Sequence, residues 1–479
     1  MSDDMALQRQ SLLLEHFSRR DFAAALAIAE EMESAGETNP LQAVILAHLG
    51  VLTGSQAAFH LGLGALDRLP RDGESTSALF GYDVDFISAH ACGALTRGNQ
   101  ADILSLLEIS RRANPYIAEI FTTSITDALS RAAQPSLAPV VPSRPVFAQV
   151  PYNGPLMAGR RVSLFVTEFY FGPGSRRHDI GPRIKRAFDR AGWPCDMWHT
   201  PIQGYEILQC SADQFYHNVS RNRPDLVVLD SFNIAPSEFA EAATRLRRDN
   251  PNIRFALMIF DPWMPRLLDQ IRALAGLVDL VWAPFPSARL LDEPVFKDKV
   301  YFLTFPVGID PSELPIRPRM RRTAFKGAIE WYNYSRAYWV TLLEQAKAPV
   351  TAFITKHVDD GLDPIESYKK YIDPFLSFDS QLNFALRPDG TRLATGRAFE
   401  VIHCGGCLIQ ERSEDLDYFF TPQEHYFSFK TFDELMDLFA LFEQEPERIL
   451  AVAKAGHAHY RAHFDDRLII DGLGRMAFG

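Results

Sequence analysis

The sequence predicts an α/β chain: two Rossmann-like domains facing a cleft, preceded by an all-α domain of helical-repeat character. Three observations carry that expectation. From Arg160 onward, short apolar β-rich runs alternate with helical segments, which is the pattern of a parallel sheet covered on both faces. The alternation begins afresh at Thr323, after a basic, proline-rich passage from Ile316 to Arg322 that fits an interdomain crossover. Upstream, residues 5 to 131 keep helical periodicity and offer no convincing strand.

A chain of 479 residues is too long for one ordinary domain, and two or three compact units are expected. With 47% hydrophobic and 23% charged residues, it can bury sizeable cores. The net charge of -11 argues against a broad nucleic-acid or anionic-membrane surface, so any basic patch must be local. Five cysteines, an odd number, point to a reducing compartment without a disulfide framework. Met1 to Gln10 is mostly polar, and the most apolar stretch, Leu41 to Leu66, is interrupted by His48, Thr53, Gln56 and His60. A soluble cytoplasmic protein without leader or membrane span is therefore expected.

The first domain, residues 1–133, divides into helices over Phe22–Glu33, Pro40–Leu52, Ala57–Leu69, Ala78–Thr96, Ala101–Arg112 and Tyr116–Ala132. Turns near Arg20, Thr53 and Arg97 recur at roughly tetratricopeptide-like spacing, so the helices are expected to stack. Such a stack offers a groove for a peptide or partner protein, or serves as a helical cap or dimerisation module. Pro135, Pro139, Pro142, Pro145, Pro151 and Pro155 then make residues 134–159 an extended linker.

Residues 160–315 read as one Rossmann-like unit. Its strands are expected at Val162–Thr167, Leu226–Asp230, Phe255–Phe260, Val278–Trp282 and Val300–Phe305, with helices at Ile180–Ala191, Ser237–Arg248 and Pro265–Ala275. The loop after the first strand lacks GxGxxG, so it is no nicotinamide-dinucleotide fingerprint. Its Gly172 and Gly174 let the backbone approach a ligand or the facing domain. His178 and Asp179 stand where a general base would, although Asp179 also suits the N-cap of the next helix. Asp261 directly follows a strand, and so either faces the cleft or makes an Asp-Pro turn. Trp263 either stacks on a sugar or packs in the core.

Residues 316–479 read as the second Rossmann-like unit. A strand Thr323–Gly327 ends in a glycine that admits a ligand, with Lys326 either reaching a diphosphate or solvated. Arg336 opens a helix, where a cation opposes the macrodipole unless an anion sits nearby. Strand Val350–Ile354 leads to Lys356 on the cleft side. The stretch Ser377 to Gln410 then reads strand (Leu382–Leu386), loop, helix (Arg397–Cys404), strand (Cys407–Gln410). Free N–H groups at Gly396 and beyond, flanked by Arg392 and Arg397, suit a diphosphate, and Glu400 one turn on suits a ribose diol. Alternatively Arg397 and Glu400, three apart, pair with each other. Cys404 and Cys407 form a lone CxxC, open to a metal, a redox or a purely structural reading. His457, His459 and His463 lack an HExxH pattern and read as solvated or capping residues.

The run LATGRAFEVIHCGGCLI, followed by a short helix over Ser413–Phe420, a strand over Tyr426–Phe429 and two closing helices, resembles the carboxyl-terminal domain of a GT-B glycosyltransferase. More narrowly it resembles the spore-maturation (CgeB-like) group within the group 1 glycosyltransferases, whose signature is an Arg-x-Phe-Glu helix followed by Cys-Gly-Gly. The resemblance runs from about Arg160 to the end. It implies a sugar transfer from a nucleotide diphosphate donor to an unidentified acceptor, with a protein or a surface glycan as the candidates. It also implies Glu400 on the donor ribose, Arg397 on the diphosphate, the Gly172 and Gly174 loop at the cleft, and Phe305 to Asp310 linking the halves. In that reading Lys326 and Arg336 neutralise the leaving group, no metal or other cofactor is required, and the last helix crosses back onto the first α/β domain. The sequence lacks the second acidic residue that group 1 enzymes carry ahead of the Glu400 helix. A nucleotide-sugar epimerase and a non-catalytic scaffold are the alternatives, and an oligomer is possible.

Overall fold

The computed structural model describes residues 8–10, 12–13, 16, 21–36, 40–53, 55–68, 159–167, 179–200, 202–203, 206–207, 209–230, 233–259, 265–284, 294–296, 299–314, 318–327, 336, 339–340, 343–344, 346–354, 361–385 and 392–479. The expected helices from Ala78 onward, the linker up to residue 158, the loop glycines Gly172 and Gly174, and His178, Asp261, Trp263 and Lys356 lie outside the described residues. Within the amino-terminal region three helices are described: α1 (Phe22–Ser34), α2 (Pro40–Thr53) and α3 (Gln56–Arg68). Helix α1 starts at an Asp21 N-cap whose carboxylate accepts from the Ala24 N–H. Gly50 and Gly62 are small because α2 and α3 touch there: a Cβ on Gly62 would lie 2.4 Å from the Ala47 nitrogen.

The first sheet comprises β1 (Val162–Thr167), β2 (Cys195–Thr200), β5 (Leu226–Asp230), β6 (Arg254–Met258), β7 (Leu280–Ala283) and β8 (Val300–Phe302), in the order β2-β1-β5-β6-β7-β8. Every pairing in it is parallel. Between β2 and β5 the chain makes a small antiparallel pair, β3 (Ile202–Gln203) with β4 (Glu206–Ile207). Helices α4 (Ile180–Arg190), α5 (Ala212–Asn222), α6 (Pro236–Asp249) and α7 (Pro265–Ala275) complete the unit. Strands β1, β5 and β7 are buried residue by residue, as their continuous apolar runs foretold. Strand β2, CDMWHT, is an edge strand with only its two end residues buried, so it presents no such run.

The second sheet holds β9 (Met320–Gly327), β10 (Val350–Ile354), β11 (Phe378–Asn383), β12 (Cys407–Glu411) and β13 (Phe427–Phe429), in the order β10-β9-β11-β12-β13, again all parallel. Its described helices include α8 (Pro364–Ser377), α9 (Gly396–His403), the short α10 (Glu414–Asp417), α11 (Phe432–Gln444), α12 (Pro446–His463) and α13 (Asp466–Phe478). Strand β11 ends at Asn383, three residues before the expected end, because Ala385 turns its N–H to the Glu411 carboxylate. A buried cluster runs without interruption from β1 and α4 of the first sheet to α8, α9 and α13 of the second. Helix α13 lies against α4 and β7, and the Tyr301 hydroxyl donates to the Ile469 carbonyl, so the carboxyl-terminal helix packs on the first sheet.

The crossover between the two units is clamped. Asp466, 8% exposed, accepts from the backbone N–H groups of Val307 and Gly308, and the His403 ring bonds the Ile309 carbonyl. Burial lowers the His403 pKa to about 4, and it also lowers those of His425 and His459, which stack at 4.2 Å. The fold favours the neutral form of all three imidazoles, so their stabilisation holds above the unfolded value near 6.5 and declines as pH falls below it, for His403 down to about 4. Asp466, raised by burial to about 6, works in the opposite sense: the fold favours its protonated form, and this partly offsets the histidines as pH falls below 6. Asp466→Asn is therefore expected to lower the melting midpoint more steeply than wild type between pH 6 and 4.5. Parallel slopes in a pH series of thermal melts would contradict this.

Candidate active site

The carboxyl ends of β1 and β11 each feed a helix, α4 and α9, and the amino-terminal halves of those helices meet across the domain boundary. Helix α9 begins at Thr395, whose hydroxyl is not used as a cap because it accepts from Asn383 Nδ2 at 2.8 Å. The N–H groups of Gly396 and Arg397 have no partner among the described residues. Gly396 is exposed, and a Cβ there would meet nothing within 4 Å. The start of α9 is thus an open set of backbone donors at the positive end of a helix.

Asn383, fully buried at the end of β11, is the hub beneath it. Its Nδ2 also reaches Gln410 Oε1 at 2.7 Å, and its Oδ1 accepts from Arg397 Nη1 at 3.1 Å. Arg397 Nε donates to the Tyr371 hydroxyl at 3.0 Å. Its guanidinium passes over Gly327 so closely that a Cβ on that glycine would lie 3.2 Å from both Nη atoms. Gly327 is therefore a seat for Arg397. Both hydrogen-bonding partners of Arg397 are neutral, and among the described residues no carboxylate lies within ion-pair distance of it. Lys326 stands 5.8 Å from the Tyr371 ring centroid. Arg336, 8% exposed, bears electrostatically on the same tyrosine, whose pKa burial pushes up. Three expected cations, Lys326, Arg336 and Arg397, thus converge around Tyr371.

Glu400, one turn below, is 7% exposed. Its Oε1 accepts from Arg183 Nη1 of α4 and from the Tyr368 hydroxyl of α8, each at 2.8 Å. Burial raises the Tyr368 pKa well above its ordinary value, so that hydroxyl remains a donor. The Arg183 guanidinium lies 4.2 Å from the Tyr368 ring centroid and 3.8 Å from Asp179 Oδ1. The second oxygen of Glu400, Oε2, makes no hydrogen bond among the described residues. Arg397 and Glu400 do not pair with each other, because each is held by groups from other elements.

Asp179 occupies the N-cap position of α4 but makes no side-chain cap bond; its carboxylate is buried and faces Arg183. Arg392 Nε lies 3.7 Å from Oε1 of the fully buried Glu411. Cys404 and Cys407 are buried and their thiols are pushed up by desolvation, which fits small residues in a tight turn. Among the described residues no group of histidine, cysteine and carboxylate side chains is arranged to hold a metal. His457 and His459 are half-buried and bond the carbonyls of Ile402 and Phe419, so they cap backbone rather than face solvent. Sequence reasoning missed Arg183, Tyr368, Tyr371 and Asn383. The one visible signal was the i,i+4 spacing of Asp179 and Arg183.

In the first sheet the strand order reverses between β1 and β5, which is where ligands of open α/β sheets lie. There Asp230 Oδ2 accepts from the Thr167 N–H at 3.1 Å and its hydroxyl at 3.2 Å, and the Thr200 hydroxyl bonds Asn233. These residues pin the ends of β1, β2 and β5 together.

Two parallel α/β sheets meeting at their strands' carboxyl ends, with the last helix returned to the first sheet, form a GT-B architecture. Residues 366–468 match the family described as "Glycosyl transferase-like", a segment holding α8, α9 and most of the second sheet. No curated protein matches the chain. Among solved structures, the chain is similar to sucrose-phosphate synthase from Thermosynechococcus elongatus at 12% identity and TM-score 0.44, covering 67% of this chain and 99% of that one. HepE of Anabaena, solved with UDP and glucose, matches at 12% identity and TM-score 0.42, over 66% of this chain and 98% of that one. A variant of the O-GlcNAc transferase of Thermobaculum terrenum matches at 13% identity and TM-score 0.39, over 98% of each chain. No described helix is long and apolar enough to cross a membrane.

Proposed function

We propose that the protein is a glycosyltransferase that moves a sugar from a nucleotide diphosphate donor to an unidentified acceptor. The observation that carries this is the pairing, on one helix, of a cation without a carboxylate partner among the described residues, at an open amino terminus, and a carboxylate bonded through one oxygen one turn on. Arg397 and the N–H groups of Gly396 and Arg397 suit the diphosphate, and Oε2 of Glu400 suits the ribose diol. The leaving diphosphate gains negative charge as the glycosidic bond breaks, and Arg397, Lys326 and Arg336 supply positive charge around that position without calling on a divalent metal. The glycosyltransferase-like match over residues 366–468 covers this helix and supports the reading. Within it, the CgeB-like grouping rests on the Arg397-x-Phe399-Glu400 and Cys404-Gly405-Gly406 run. Asp179, His178 and Asp261 remain the candidates for an acceptor base. The amino-terminal helices, proposed as tetratricopeptide-like, are the candidate holder of a protein acceptor.

The test is a thermal-shift panel of uridine, guanosine, adenosine and thymidine diphosphates and their sugars in the presence of a chelator. One base is expected to raise the midpoint of wild type by about 2–5 °C at saturating ligand. The same ligand is expected to leave Glu400→Ala unmoved. A panel without any shift, or an equal shift in the variant, contradicts the proposal.

A further inference from the structure

We propose that Arg183, from the opposite domain, is the positioning residue of the donor site: it fixes the Glu400 carboxylate through one oxygen and aims the other at the donor, so that nucleotide recognition requires both domains. This rests on the donor-site reading above and deepens it. A carboxylate as buried as Glu400 disfavours its charged form unless a cation and hydrogen-bond donors compensate. Arg183 Nη1 and the Tyr368 hydroxyl supply that compensation, and both engage the same oxygen, Oε1. That leaves Oε2 for a ligand, and the rotamer is fixed from two sides. Arg183 is itself held in place: its guanidinium packs on the Tyr368 ring, and its backbone lies against Gly308 of the crossover. Among the described residues, the charged and titratable groups around Glu400 and its tyrosine neighbours include Arg183 and Asp179 from α4, Tyr368 and Tyr371 from α8, Arg397 and Cys404 from its own segment, and Arg336. Of the cations among them, only Arg183 is hydrogen-bonded to the carboxylate. The arrangement differs from a mere interdomain brace because its loss changes the chemistry of one carboxylate as well as the packing.

The experiment measures the affinity of the full chain for uridine diphosphate, and for whichever other nucleoside diphosphate the panel selects, from pH 5.5 to 8.5. Wild type, Arg183→Gln, Arg183→Lys and Tyr301→Phe are compared. Tyr301→Phe loosens the docking of α13 on the first sheet without touching Glu400. Arg183→Gln is expected to weaken binding about tenfold to a hundredfold at neutral pH. Its affinity should recover as pH rises, because a buried carboxyl without a cation favours its neutral form at low pH. Arg183→Lys should restore much of the affinity and the flat profile, and Tyr301→Phe should keep the wild-type profile. Binding by Arg183→Gln with wild-type affinity and a flat profile overturns the role of Arg183 and leaves the donor site standing. An equal, pH-independent loss in Arg183→Gln and Tyr301→Phe also overturns it, because that is what a structural brace would give. No binding by wild type overturns both this role and the donor site.

Discussion

Arg397→Ala is expected to lower the rate of sugar transfer by about a hundredfold to a thousandfold, the scale seen when a fixed charge stabiliser is removed from a transition state. Arg397 is oriented by neutral oxygens on Tyr371 and Asn383 and overlies Gly327, so its charge is positioned but not neutralised. Charge accumulates on the diphosphate as the bond to the sugar breaks, so the loss should fall more on kcat than on KM for the donor. Arg397→Lys should recover only part of the rate. A lysine keeps the charge, but it lacks the fork that reaches both Asn383 and Tyr371 while presenting the remaining N–H groups outward. Steady-state kinetics with the donor identified by the thermal panel checks this. A variant with unchanged kcat would remove Arg397 from the reaction.

Gly308→Ala is expected to destabilise the protein by about 2–4 kcal/mol and to weaken donor binding together with the fold. Gly308 has φ +72°, a conformation that costs an L-residue strain, and an added Cβ would sit 2.6 Å from Arg183 Cα and 2.7 Å from its carbonyl oxygen. These are backbone atoms, so no side-chain rotation relieves the clash. The movement that does relieve it shifts α4 and disturbs two contacts together: the Asp466 clamp on Val307 and Gly308, and the reach of Arg183 to Glu400. Chemical unfolding checks the first effect, and nucleotide titration of the fraction that remains folded checks the second. A variant as stable as wild type would mean that the crossover is not the rigid joint described above.

How much of this was legible in the sequence depends on how local each signal is. Strands β1, β5, β10 and β12 were visible because burial on both faces, or a run of apolar and β-branched residues, leaves a mark in five or six consecutive positions. The edge strand β2 left none, since Asp196 and His199 point outward along it. Helix α8 was also missed: Pro374 lies inside it, and a proline there argues against a helix when only the sequence is read. At the site, Arg397, Gly396, Gly327 and Glu400 could be picked out because a helix start after a strand is a local pattern. Their partners could not. Arg183 is 217 residues from Glu400, and only the meeting of two sheets brings them together. The ion pair of Arg392 with the buried Glu411, one strand away, was equally hidden, because it also joins separate elements.

The most direct test of the donor site is a crystal structure of the protein with the nucleoside diphosphate that the thermal panel selects. The account predicts the ribose hydroxyls within hydrogen-bond reach of Glu400 Oε2, with the diphosphate on the N–H groups of Gly396 and Arg397 and against the Arg397 guanidinium. A nucleotide bound away from the start of α9, or bound there with its ribose turned from Glu400, would contradict it.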